Sequence, residues 1–254
     1  MEVVTGWTHK SFPVEDASRV GEARRHAAQL AAGLAFSEVD AGRLALVVTE
    51  LGTNLHRHAR KGRLLVAARP HARDVEVVAI DEGPGIVNLH LSMQDGQSSG
   101  RTPGTGLGAI RRLADDFDIH SSVPDGTVSV ARVRGSDAPQ GPAASVRIGA
   151  VCLPAPGEAV CGDAWTAGRL GARFSLMVAD GLGHGPEAAK ASLAASAAFA
   201  RHPSAAPREQ VQQTHQALQT TRGAAICALA IDGEASRLSY SGAGNVVGRV
   251  LSGV

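Results

Sequence analysis

Aromatic residues are scarce in this chain of 254: five Phe, two Trp and one Tyr make up 3%. Stacking platforms for single-stranded nucleic acid need such rings, so that class of partner is excluded, and the cores must be built from Ala, Val, Leu and Ile. Cysteine is scarcer still. Cys152, Cys161 and Cys227 are odd in number and show no C-x-x-C spacing, which speaks against a disulfide framework and a zinc knuckle and fits a reducing cytoplasm. Charge of one sign is also missing. The 25 Lys+Arg against 24 Asp+Glu leave a formal net charge of +1, no electrostatic footprint for nucleic acid or a membrane surface. No apolar run reaches the roughly 18 residues of a membrane span. The N-terminus MEVVTGWTHK has no basic stretch followed by an apolar one, so a soluble, unexported cytoplasmic protein is expected.

What is present is enough to fold. Hydrophobic residues reach 44% and charged ones 19%, and at roughly 150 residues per domain the length suggests two small domains. The stretch 136–145, SDAPQGPAAS, breaks the patterned sequence with small residues and two prolines and is the expected linker. Ahead of it, helices are expected from Pro13 to Ala35, from Ser37 to about Arg60 with Ser37 as cap, and from Leu107 to about Phe117. Short apolar runs at Leu64–Ala68, Val75–Ile80 and Thr127–Val133 read as strands, so this half is mixed α/β. Beyond the linker, strands are expected at Val146–Leu153 and Phe174–Ala179, helices at Pro186–Ala200 and Pro207–Gln219, and a hairpin of Ala224–Ile231 with Arg237–Ser241 across Asp232-Gly233.

Three features of the first half share an order. Glu50 and Asn54 stand four apart in ELGTNLHRHAR, on one helix face with Cβ atoms about 5–6 Å apart. Asp81-Glu82-Gly83-Pro84-Gly85 follows an apolar strand, the end at which α/β sheets bind ligands. Gly104-Thr105-Gly106-Leu107-Gly108 then opens a helix, offering backbone N–H groups to phosphate oxygens. In this order the three resemble the N-box and two glycine boxes of the GHKL ATPase superfamily, matched at Glu50/Asn54/His58, Asp81/Gly83/Gly85 and Gly104/Gly106/Gly108. DEGPGI, GTGLGAIRRLADDFDIHS and DGTVSVARV are similar to the anti-sigma and RsbT-like switch kinase branch over roughly residues 10–134.

That resemblance implies a Bergerat α/β sandwich, Mg²⁺-ATP as phosphoryl donor, and a serine or threonine of a STAS-domain protein as acceptor. It makes Glu50 the general base and Asn54 the Mg²⁺ holder. Asp81 would read the adenine amine, and Gly83, Gly85 and the run Gly104, Thr105, Gly106, Leu107 and Gly108 would surround the nucleotide. Residues 87–103 would form a lid, with Arg101 a clamp on the outermost phosphate. His56 and His58 lie on different helix faces, so surface or structural roles are expected for both. A sigma factor as a further partner and a homodimer are compatible with this branch.

In the second half, Gly162-Asp163-Ala164-Trp165 precedes a strand that delivers Asp180-Gly181-Leu182-Gly183-His184-Gly185. Carboxylates at strand ends backed by glycines suit hard divalent cations, and paired cations can activate water on a phosphoester. GDAW, VADGLGHGPEAAKAS, TRGAAICALAID and YSGAGNV resemble PPM-type serine/threonine phosphatases of the SpoIIE/RsbX-like branch, implying an α/β/β/α fold. By that resemblance Asp180 would bridge two Mn²⁺ or Mg²⁺ ions, the Gly181 carbonyl would add a ligand, and Asp163 would act through the metal shell. His184 is expected to be structural. The family completes its shell with later aspartates, whereas here only Glu187, Glu209, Asp232 and Glu234 follow Asp180. An incomplete domain with weak metal binding is therefore expected. The resulting organisation is a kinase domain at 1–135, a linker at 136–145 and a partial phosphatase domain at 146–254, with opposed activities on one switch protein. The alternatives are a nucleotide-dependent anti-sigma or STAS-binding module that moves no phosphate, and a phosphatase with a degenerate nucleotide domain.

Overall fold

The computed structural model describes residues 2–93, 106–138 and 146–251. In chain order the elements are β1 (Glu2–Thr5), β2 (Lys10–Pro13), α1 (Ala17–Gly33), α2 (Glu38–His58), β3 (Arg63–Arg69) and β4 (Asp74–Asp81). The short α3 (Leu89–Ser92), then α4 (Gly106–Leu113), β5 (Asp116–Ser122) and β6 (Gly126–Arg134) follow. The last are β7 (Asp163–Leu170), β8 (Arg173–Gly181), α5 (Gly185–Arg201), α6 (Pro207–Ala217), β9 (Ala224–Asp232) and β10 (Arg237–Ala243). Among the described residues no helix is long and apolar enough to cross a membrane.

Two compact units result, one of His9–Pro142 and one joining Met1–Thr8 to Ala143–Val254. The expected first domain included residues 1–8, and the structure moves them. β1 pairs antiparallel with β7, Glu2 opposite Arg169 and Thr5 opposite Thr166, and the Gly6 N–H continues the ladder to the Trp165 carbonyl at 2.8 Å. Trp7 closes this edge with its ring 4.6 Å from that of Trp165, edge to face.

In the His9–Pro142 unit the sheet runs β2-β3-β4-β6-β5, all antiparallel. Alternate residues of β4, Val75, Val77 and Ala79, join Val47, Val48, Leu51 and Leu55 of α2, Ala23 and Ala27 of α1, and Ile110 of α4 in one core. Small residues let the helices approach closely. At Gly52 a β-carbon would stand 2.6 Å from a Val20 methyl. Asp16 caps α1 by accepting the Ser18 N–H, so the helix starts at Ala17 and leaves Pro13 in β2. Ser37 caps α2 by accepting the Asp40 N–H.

The expected helix through Phe117 is cut short at Leu113. Arg43 donates to the Leu113 carbonyl through Nε (3.1 Å) and a terminal nitrogen (2.9 Å), which satisfies an orphan group of the helix end. The following residues alternate in exposure as the edge strand β5. Asp40, 2% exposed, ties this corner by accepting from Ser37 Oγ, Arg43, and the Ser136 N–H and Oγ. Those bonds, the Ser136 hydroxyl first, hold its carboxyl well below the usual range.

β4 is buried on both faces, since Asp74, Glu76 and Val78 on its other side are also out of solvent. Charges there are paired. Glu76 faces His9 Nε2 at 3.0 Å and Arg132 at 2.7 Å, and Asp74 faces Arg69 Nε at 2.9 Å.

In the other unit the sheet runs β1-β7-β8-β9-β10, again antiparallel. Met177, Ala179 and Ile226 pack against Ala191, Ala195 and Phe199 of α5 and Leu218. The expected strand at 146–153 does not form, and GDAW, read as a lead-in, instead opens β7. The β9–β10 hairpin forms with Arg237 opposite Asp232, its loop held by the Ala235 N–H on Asp232 Oδ1 at 2.9 Å.

Candidate functional sites in the two units

In the His9–Pro142 unit, Glu50 and Asn54 project from successive turns of α2, both half-buried, and His58 is exposed one turn further on. The start of α4 comes to meet them. A β-carbon at Gly106 would stand 3.2 Å from Asn54 Oδ1 and 3.4 Å from Nδ2, so glycine there lets the helix start lie against the amide. Gly108 is buried and Leu107 packs on the core, which makes both supports of that approach. Arg101, Gly104, Thr105 and residues 94–103 of the expected lid lie outside the described residues.

Asp81 ends β4, half-buried, with its Oδ1 accepting the Gly83 N–H at 2.7 Å. Gly83 is buried, and a β-carbon there would meet that same oxygen at 2.6 Å and the His58 carbonyl at 3.1 Å. The Glu82 N–H bonds the Arg60 carbonyl at 2.9 Å, fastening the end of α2 to this loop. Gly85, at φ +73°, passes under the β5–β6 turn, where a β-carbon would be 2.4 Å from the Ser122 carbonyl. Among the described residues the structure thus brings Asn54 to Gly106, and His58 through its carbonyl to Gly83 and Asp81.

Sequence reading missed the support beneath Asp81. Gly126, at φ +111°, leaves only 2.0 Å between a β-carbon position and the Asp81 carbonyl, and Thr127 is the strand partner of Asp81. The Thr127 and Ser121 hydroxyls are 2.9 Å apart, and Ser121 Oγ accepts the Ile86 N–H at 2.8 Å. The Asp125-Gly126 pair, a turn signal, was the available clue.

In the other unit, Asp163 and Asp180 face each other across β7 and β8 as register partners. Burial, then the like charge of Asp180, pushes the Asp163 carboxyl up. Gly181 sits tight behind them: its N–H bonds the Gly162 carbonyl at 3.2 Å, and a β-carbon would be 2.2 Å from the Ala188 carbonyl. Among the described residues no group of three or more His, Cys, Asp or Glu stands where it could hold a metal ion. His184 Nδ1 lies 2.5 Å from Glu158 Oε1, and Gly185, at φ +72°, makes room for that carboxylate. Glu158 went unread because 26 residues separate it from its partner. Cys152 and Cys161 are buried with sulfurs 3.1 Å apart. Burial, then Cys161, pushes the Cys152 thiol up to about 12.

The chain belongs to the family of histidine kinase-like ATPase domains, which residues 12–132 match. The serine/threonine-protein kinase RsbT of Bacillus subtilis strain 168 is similar, at 33% identity over 107 residues that are 41% of this chain and 80% of RsbT. Among solved structures, a chain of the bacterial stressosome is 34% identical with a TM-score of 0.34. The match covers 35% of this chain and 47% of that one, so this chain spans less than half of it. The PP2C phosphatase domain of SpoIIE from Bacillus subtilis, with a fragment of its regulatory domain, is 15% identical. Its TM-score is 0.32, over 90% of this chain and 72% of that one.

Proposed function

We propose that the His9–Pro142 unit is an ATP-dependent serine/threonine protein kinase acting on a serine or threonine of a stressosome-type STAS protein in the cytoplasm. The observation that carries this reading is the meeting of Asn54 with Gly106, which sets the α2 amide against a glycine-led helix start, with Glu50 four residues earlier on the same helix. Similarity to RsbT over 80% of that kinase supports the acceptor class. The residues fit a nucleotide. Asp81 Oδ1 is occupied by the Gly83 N–H, so Oδ2 would accept from the adenine amine, and only glycine at 83 leaves that carboxylate room.

Bound Mg²⁺-ATP supplies the phosphoryl group and the charge neutralisation that such transfer needs. Asn54 would hold the cation, and the N–H groups of Gly104 and Thr105, with those at the start of α4 from Gly106, would receive phosphate oxygens. Arg101 would clamp the outermost phosphate. Glu50 would accept the acceptor hydroxyl's proton, one turn of helix from Asn54. Incubation with γ-labelled ATP and STAS proteins tests this: label moves to the acceptor and is lost at least 100-fold in Glu50→Ala. If the partner binds tightly with nucleotide but no label ever moves, the protein is a nucleotide-dependent binding module instead.

The C-terminal unit reads as a phosphatase-like module, on the pairing of Asp163 with Asp180. Two carboxylates and the Gly181 carbonyl fall short of the six or more oxygens that hard cations gather and do not make a two-metal centre. Little or no phosphatase turnover is expected of this 254-residue chain. Calorimetric titration with Mn²⁺ should show weak binding that disappears in Asp180→Asn. Binding that survives the substitution removes this site.

A further inference from the structure

We propose that Cys152 and Cys161 form a reversible disulfide, a modification site that controls the start of β7. All three cysteines are free, but these two are 7% and 8% exposed with sulfurs only 3.1 Å apart. Closing to the roughly 2.0 Å of a disulfide asks for about 1 Å of movement. The segment between them, 153–160, has no helix or strand to resist it. Cys227 lies on β9, opposite Gly242 of β10.

Both sulfurs hold the main chain of Asp163. Cys161 Sγ accepts the Asp163 N–H at 3.4 Å, and the Cys152 thiol donates to the Asp163 carbonyl at 3.5 Å. The Cys161 thiol donates to the Leu153 carbonyl at 3.1 Å. Oxidation removes both S–H donors and closes residues 152–161 into a covalent loop that ends two residues before Asp163, the first residue of β7. The pair therefore couples thiol chemistry to the carboxylate facing Asp180. The same segment carries Glu158, held by His184.

The oxidant is a low-molecular-weight disulfide. One cysteine, as thiolate, attacks it and forms a mixed disulfide, expelling one small thiolate. The other cysteine then gives its proton to water and attacks the protein sulfur, releasing the second small thiol. Two protein thiols and one small disulfide thus become one protein disulfide and two small thiols.

The test uses the full reduced chain, incubated with excess oxidised glutathione and then alkylated. One alkylated cysteine, Cys227, is expected in place of three, and cleavage after Glu158 leaves the two flanking peptides joined until dithiothreitol separates them. Hydrogen exchange across 152–163 slows on oxidation and recovers on reduction. Three alkylated thiols, a lasting mixed disulfide with glutathione, or a link through Cys227 or a second chain overturns the proposal. So does a disulfide that leaves exchange at 152–163 unchanged. Neither readout depends on ATP or a metal ion.

Discussion

Replacing Gly126 by alanine tests whether Asp81, the carboxylate proposed to read adenine, is held from beneath by backbone packing. Gly126 has φ +111°, well beyond the left-handed helical region near +57° that other residues visit. Forcing alanine there costs about 1–3 kcal/mol in backbone strain. Its β-carbon would also lie 2.0 Å from the Asp81 carbonyl oxygen and 2.9 Å from the carbon. Both are backbone atoms, so no side chain can swing clear, and relief requires prising β4 from β6; overpacking of this kind adds about 1–3 kcal/mol. The expected loss is about 4 kcal/mol, a large share of a typical domain's stability. Nucleotide affinity should fall with it, since Asp81 moves. Gly42 is the control. It lies exposed inside α2 with nothing within 4 Å of a β-carbon, so Gly42→Ala should stabilise by about 0.5–1 kcal/mol through helix propensity. Urea unfolding followed by far-ultraviolet circular dichroism, with binding of a fluorescent ATP analogue, reads both. A Gly126→Ala change under about 0.5 kcal/mol with unaltered nucleotide affinity would refute the packing account.

Asp40→Ala should destabilise by about 3 kcal/mol, because it strips a buried carboxylate from Ser37, Arg43 and Ser136. Asp40→Asn should lose less, and since the folded carboxyl titrates below its unfolded value, its contribution stands above about pH 3.9 and fades as pH falls further. Equal losses for the two variants would show that charge and acceptors count for nothing at that corner. Asp74 has the opposite sign: burial pushes its carboxyl up to about 6 against the pull of Arg69, Arg132 and Arg134. The folded state then binds more protons than the unfolded one between about pH 3.9 and 6, so this group's share of stability falls as pH rises across that window. The difference in unfolding free energy between wild type and Asp74→Asn should change across it; parallel curves would rule the assignment out. Glu76 does not blur the result. Burial pushes it up, but His9, Arg132 and Arg69 outweigh that and hold it down at about 2, so its window lies below pH 4.3.

Local chemistry made much of the fold readable. The α2 helix shows its apolar stripe and Ser37 cap, and the hairpin at Asp232-Gly233 shows its turn residues, because both depend on neighbours in the chain. The residues proposed for the nucleotide site stand out in the sequence for a related reason: Glu50 and Asn54 share a face at helical spacing, and Asp81 follows an apolar strand. Short edge strands were not. β1 has four residues and β5 only half-hides one face, so neither carries a strong period.

By itself, then, the sequence determined two α/β units, the glycine-framed residues of a candidate site in the first and two aspartates bracketing a strand turn in the second. Only the tertiary structure decided that Met1–Thr8 joins the distant C-terminal sheet, and that Gly126 supports Asp81 from another strand. It alone paired Glu158 with His184 and Cys152 with Cys161 around Asp163. The physical reason is common to all of these. Strand pairing, steric exclusion and side-chain meetings across tens of residues depend on where the chain returns, and no local period or cap encodes that return.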